Sequence, residues 1–195
     1  MKIFDVYETK DSKIEDPGLR RYINLTEKLV IKSRGRSREK FGKTRVNVIE
    51  RLINLLMVPG HRGKKHKIMT SWASGKWSKK VQTVMESFKI IEDKTKTNPV
   101  DVFIKAIENA APRDEITTIE YGGARYPQAV DISPMRRVNL ALRHIVHGAY
   151  DKSFNKKKSI AEALATEILA ASQNINESAA IMKKNEIEKQ ADAAR

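Results

Sequence analysis

Apolar residues recur three and four positions apart in several separate stretches of this 195-residue chain, and most of those stretches end at a proline, a glycine or a polar cluster. That spacing makes the stripe of a helix buried along one face, so the chain is committed to helices packed on one another. Val46, Ile49, Leu52, Ile53 and Leu56 predict a helix over 44–57, stopped by Pro59-Gly60. Val81, Val84, Met85, Phe88 and Ile91 predict the buried stripe of a second. Asn98 reads as the cap of a third, with Pro99 in its first position and Val100, Phe103, Ile104, Ile107 and Ala110 facing inward until Pro112. Ser133 and Pro134 open a fourth, in which Met135, Val138, Ala141, Leu142, Ile145 and Ala149 share one side and Arg136, Arg137, Arg143, His144 and His147 the other. The capping box Ser159-Ile160-Ala161-Glu162 opens a fifth, Ala-rich helix, and a helix-prone segment of weak apolar spacing runs from about Asn176 to the end.

One stretch breaks the pattern. In "EITTIEYGGARYPQAVDISP", Glu115 to Pro134, two runs rich in Ile, Thr, Tyr and Val flank Gly122-Gly123. Two glycines supply the positive φ angles of a tight hairpin turn, so a two-stranded antiparallel ribbon is expected at about 115–133. Its second strand puts Tyr126, Gln128, Val130 and Ile132 on one face. Two strands alone are marginal in water, so the ribbon's base must pack on the helices or its length must be held by a partner. The expected fold class is therefore mainly α: a single domain with a protruding β-ribbon.

Residues 1–42 show no clear helical period and contain Pro17-Gly18 and "KSRGRSREKFGK", which predicts an extended basic N-terminal arm before a helical domain over 43–195. Leu19, Tyr22, Ile23 and Leu29 offer one apolar helical face within that arm. Charge gives the arm its meaning. The chain carries 38 Lys and Arg against 24 Asp and Glu, a formal +14, and residues 19–80 alone hold 18 basic and three acidic residues. A concentrated basic segment marks a polyanion binder, because neutralising many phosphates releases condensed counterions. The candidate phosphate contacts are Arg34, Arg36, Arg38, Lys40, Lys43, Arg45, Arg62, Lys64, Lys65, Lys67, Lys79, Lys80, Arg113, Arg136, Arg137, Arg143, Lys156, Lys157 and Lys158.

Other chemistries have little support. With no cysteine there is neither a disulfide framework nor a Cys-based zinc site, and the N-terminus lacks the apolar run of a signal peptide. The longest apolar run, Leu52 to Val58, is far too short for a bilayer, so a cytoplasmic protein without membrane partners is expected. "GRSREKFGKT" ends like a phosphate-binding loop but separates Gly35 from Gly42 by six residues where four are needed. His144 and His147 lack an evident third ligand and sit among arginines, so no metal and no cofactor is expected. Trp72 and Trp77 suit either stacking on bases or covering the local core. Nothing places a nucleophile, base and orienting group together, and no enzyme is expected.

Taken in order, "VIERLINLLMVPG" with "GKK", "NPVDVFIKAIENAAPRDE", "YGGARYPQAVDISPMRRVNLALRHI", "KKKSIAEALATEILAA" and "AIMKKNEIEKQADAAR" resemble the universal small-subunit ribosomal protein seven family. The likeness covers residues 43–195, is densest from Tyr121 to Ile145, and the long basic arm is similar to archaeal and eukaryotic members. "KIMTSWASGKW" does not align with that pattern. The resemblance implies about six helices with a protruding ribbon. It also implies a primary binder of ribosomal RNA that nucleates the small-subunit head on the 3′ major domain, with the ribbon toward the exit-site tRNA and the mRNA path. On that basis Tyr121, Gly122, Gly123, Ala124, Arg125 and Tyr126 would form the tip, and Arg136, Arg137, Arg143, Lys43 and Arg45 would meet RNA phosphates. Neighbours would include ribosomal protein eleven and other head proteins. From the residues alone, an architectural DNA-binding protein with a ribbon arm is the alternative, although such ribbons usually end in an apolar wedge.

Overall fold

The computed structural model describes residues 2–4, 6–9, 12–27, 39–58 and 75–195. Six α-helices and a two-stranded ribbon are found among them: α1 Val48–Leu56, α2 Trp77–Thr95, α3 Pro99–Ala110, β1 Asp114–Tyr121, β2 Ala124–Asp131, α4 Pro134–Ser153, α5 Ile160–Ser172 and α6 Ala179–Asp192. Most starts follow from side chains that accept the orphan amides of a first turn. Asn98 Oδ1 accepts from Val100 N at 3.1 Å, Ser159 Oγ from Glu162 N at 3.1 Å, and Ser178 Oγ from Ile181 N at 3.3 Å. Ser133 holds the cap position of α4, but its side chain makes no capping bond; Pro134 alone sets that start.

The first helix is shorter than its apolar spacing suggests. A 3-10 turn over Gly42–Arg45 precedes it, Val46 is extended, and Asn47 Oδ1 takes the amide of Ile49 at 2.8 Å. An asparagine that bonds its own backbone two residues on offers a cap in place of a continued helix. In α2 the buried face is turned from the expected one. Thr83, Val84, Ser87, Phe88 and Ile91 are buried while Met85 is 38% exposed. The small Ser87 lets α5 come close, with its Oγ 3.0 Å from the Ala161 carbonyl, and Met85 falls beyond that contact.

Helix α5 is the centre of the body, packed against α2, α3 and α4. Its buried Ala161, Ala163, Ala165 and Ala171 leave room for close neighbours, and Leu164 and Ile168 fill the space between. Glu167 of α5 is fully buried and joins three helices: Lys152 Nζ of α4 lies 2.5 Å from its Oε2, and Ser178 Oγ and the Ala180 amide donate to Oε1 at 2.7 and 3.0 Å. A Cβ on Gly148 would meet Glu167 Cδ at 2.8 Å, so that position of α4 must lack a side chain.

Among the described residues of the N-terminal segment no α-helix is found, and the apolar face expected at Leu19, Tyr22 and Ile23 forms turns at 17–22; Leu29 lies outside the described residues. Leu19 and Ile23 are nonetheless buried, with Ile3 and Ile14, in the same core as Phe88 and Phe103. The segment is thus a strap on the body, joined to the start of α1 where Val48 N donates to Asn24 O at 2.9 Å.

β1 and β2 pair from Asp114↔Asp131 to Tyr121↔Ala124, leaving a two-residue turn of Gly122 and Gly123 with φ of 59° and 80°. Only Gly adopts both angles freely, which is the primed turn that matches strand twist. The ribbon's base is braced by the last helix: α6 packs on both strands, and Glu188 Oε1 accepts from Arg113 N at 3.0 Å. Arg195 Nη2 reaches Asp114 Oδ2 at 2.5 Å, and Arg136 Nε reaches Glu115 Oε1 at 2.6 Å.

Candidate nucleic-acid interface

The 3-10 turn before α1 and the outer face of α4 come together. A cleft of about 210 Å³ is lined by Phe41, Ser133, Met135, Arg136, Asn139, Leu140 and Arg143. A second, of about 250 Å³, is lined by Lys43, Val46, Arg51, Asn54, Leu55, Val58 and Asn139. Asn139 is common to both, so the two adjoin. Its Oδ1 accepts from Arg51 Nη2 at 2.9 Å, and Arg51 Nη1 donates to the Tyr22 carbonyl at 2.9 Å. Burial lowers the Arg51 pKa to about 10, and this guanidinium serves the floor rather than a ligand.

Lys40, Lys43 and Arg143 are exposed, and Arg143 makes no ion pair among the described residues. Arg136 is exposed and held by Glu115, whose hydrogen bond raises its pKa. Arg45 is exposed beside Glu39 at 2.9 Å. Lys79, Arg113, Lys156 and Lys157 are exposed on other elements, whereas Lys158 is half-buried and donates to Thr166 Oγ1 at 2.9 Å. Arg34, Arg36, Arg38, Arg62, Lys64, Lys65, Lys67 and Trp72 lie outside the described residues.

Two of the candidate cations face inward. Arg137 bridges Asp16 Oδ2 at 3.0 Å and the Pro112 carbonyl at 3.2 Å, locking the N-terminal strap to α4. Lys80 is buried; its Nζ donates to Tyr150 Oη at 3.1 Å and lies 5.6 Å from that ring's centroid. Its pKa is lowered by burial first and by Lys79 and Lys76 second. Trp77 packs against the core, which favours the covering role for that ring. Sequence reasoning passed over Phe41 and Asn139; an aromatic residue between Lys40 and Lys43 was the available sign.

The ribbon has a different electrostatic character. Residues 114–131 carry four carboxylates and one guanidinium, a net of −3. Arg125 at the tip pairs with Glu120 directly across the strands, at 3.8 Å. Tyr121 is 82% exposed and Tyr126 58%. Among the described residues no group of three His, Cys, Asp or Glu side chains is placed to hold a metal, and no helix is long and apolar enough to cross a membrane.

The family model for ribosomal protein S7p/S5e matches residues 19–195. This chain belongs to that family. It is 54% identical over 196 residues to the small ribosomal subunit protein uS7 of Nanoarchaeum equitans (strain Kin4-M), covering all of this chain and 99% of the relative. It is 45% identical over 194 residues to the small ribosomal subunit protein uS7 of Thermoplasma volcanium, covering 99% of this chain and all of the relative. The family is that of a non-enzymatic protein of the small subunit of the cytoplasmic ribosome, here of archaeal type, whose partners are small-subunit ribosomal RNA and ribosomal proteins.

Proposed function

We propose that this chain is a primary binder of small-subunit ribosomal RNA, nucleating assembly of the head on the 3′ major domain. The observation that carries this reading is the convergence of Lys43, Arg136 and Arg143 on two adjoining clefts, with Lys40 over the ring of Phe41 in the wall of one of them. Phosphate contacts supply affinity, while the shape of a rigid helical body selects the RNA. Arg34, Arg36, Arg38, Arg62, Lys64, Lys65 and Lys67 extend the same basic span, and Arg45, Lys79, Arg113, Lys156 and Lys157 add further phosphate contacts.

The ribbon, by this reading, runs toward the exit-site tRNA and the mRNA path, with ribosomal protein eleven and other head proteins as neighbours of the ribbon or of α6. Its net negative charge argues against a share in phosphate affinity, and its exposed Tyr121 and Tyr126 suit contact by stacking and shape.

The test is binding of the full chain to a transcript of the 3′ major domain over a potassium chloride series, with duplex DNA as competitor. The logarithm of the binding constant should fall linearly with that of salt, by about 0.7 to 0.9 per phosphate neutralised. Binding that ignores salt, or that prefers duplex DNA, overturns the reading. Removing Tyr121 to Tyr126 should leave affinity and head assembly intact while altering exit-site tRNA occupancy; loss of assembly would make the ribbon a structural element.

A further inference from the structure

Phe41 stands out among the described residues. Its backbone is left-handed, at φ 63° and ψ 8°, a conformation that is strained for a bulky side chain, yet the residue is 57% exposed. Phe4 is the instructive contrast: it also has a positive φ, of 54°, but its ring packs edge-on against Phe88 at 6.5 Å, so burial offsets the strain. Among the described residues no comparable ring contact is found for Phe41.

The turn around Phe41 is held in place by its neighbours. Its carbonyl accepts from Thr44 N at 2.9 Å and from Thr44 Oγ1 at 2.8 Å, Gly42 N donates to Glu39 O at 3.0 Å, and Arg45 is tied to Glu39. The ring is thereby presented at the wall of the 210 Å³ cleft, facing α4 residues Met135, Arg136, Asn139, Leu140 and Arg143. Lys40 Nζ lies 5.7 Å from its centroid. An aromatic ring, the apolar Met135 and Leu140, and the nearby cations Lys40 and Arg143 suit a nucleotide whose base stacks while its phosphates are neutralised.

We infer that Phe41 is a stacking platform for one unpaired RNA base, with flanking phosphates held by Lys40 and Arg143. This deepens the RNA-binding reading above and rests on it. A duplex cannot use the ring, because its bases are already stacked on one another; the occupant is a bulged or looped-out nucleotide. The left-handed backbone then holds the ring in the cleft wall.

The experiment uses the full chain and the 3′ major domain transcript. Phe41→Ala should weaken binding by about 5- to 150-fold, the range for loss of one base–aromatic stack, without changing the salt slope. Phe41→Tyr should bind within a few-fold of the parent. Phe41→Gly suits the positive φ, so its melting temperature should hold or rise while binding falls. A photoreactive phenylalanine at position 41 should crosslink to an unpaired nucleotide in assembled small subunits. Parent-like binding by Phe41→Ala, a fall in binding only in step with melting temperature, or a crosslink to protein or to paired RNA would each overturn the inference. Failure of the parent chain to bind the transcript would instead overturn the RNA-binding reading itself.

Discussion

The helical body and the ribbon of this molecule are built on opposite terms. In the body, apolar residues are covered: Phe88, Phe103, Ile104, Leu142 and Ile168 are fully or almost fully buried, and even the cations Lys80 and Arg137 are drawn inward. In the ribbon, Ile116, Ile119, Tyr121 and Tyr126 stay exposed on a two-stranded sheet. Burial on folding explains the body's sequence, because each buried side chain contributes roughly 1.5–3 kcal/mol. It explains little of the ribbon, where these side chains gain no such burial within the described residues. Charge divides them in the same sense, with excess positive charge in residues 19–80 and a net of −3 in the ribbon.

The largest effect that separates the two regions is expected from core truncation. Phe88 packs its ring against Tyr7 at 5.9 Å and Phe103 at 6.0 Å. Phe88→Ala should lower stability to urea by about 3–5 kcal/mol, the usual cost of emptying a well-packed aromatic site. Ile119→Ala, on the ribbon, should change it by no more than about 0.5 kcal/mol. Equal costs for the two variants would mean that the ribbon belongs to the core, and the contrast would be lost.

A smaller effect is expected from the buried phenol of Tyr150, which donates to the Leu56 carbonyl at 2.6 Å and so ties α4 to the end of α1. Burial raises its pKa to about 12 from 10.0. Because the folded state holds this proton more tightly than the unfolded one, the stability it contributes is complete below pH 10 and is lost as pH rises through 12. The full loss should amount to roughly 3 kcal/mol. Comparing denaturation at pH 9 and pH 11.5 in the parent and in Tyr150→Phe isolates it; an unchanged pH dependence in the variant would show that other groups carry the alkaline loss. Lys80, with its lowered pKa, acts in the opposite sense: its contribution rises with pH toward 10.5.

How far the sequence disclosed these features depends on the distance over which each is decided. Helix α3 was legible because Asn98, Pro99 and the inward residues from Val100 to Ala110 all point the same way within a dozen positions. The Gly122-Gly123 turn was legible for the same reason. Arg137 and Lys80 were read as surface cations because their partners, Asp16 and Tyr150, lie 121 and 70 residues away. The seating of Leu19 and Ile23 was equally hidden, since a strap without regular hydrogen bonding leaves no period to detect. The role of α6 also exceeded its weak apolar spacing: only Ala180, Ile181 and Ala191 are buried, and the helix holds the ribbon by polar contacts from Glu188 and the following Arg195. Of the proposed interface, the cations were visible in composition, but Phe41 required knowledge of its backbone angle and exposure.

The smallest global effect is expected at the ribbon's turn, where the two regions are most independent. Gly123 has a φ of 80° and open space around the position of a missing Cβ. Gly123→Ala therefore meets no steric clash with neighbours, and its cost is the backbone penalty alone, about 1–2 kcal/mol of local strain. That strain acts on the pairing of Tyr121 with Ala124 and Glu120 with Arg125, where the exposed ion pair adds little. It does not reach the base, which Glu188, Arg195 and Arg136 brace separately. Amide exchange near the tip should accelerate by about ten-fold or more while exchange in α5 and the melting temperature stay as in the parent. A fall in melting temperature with faster exchange in α5 would show that the turn is coupled to the body.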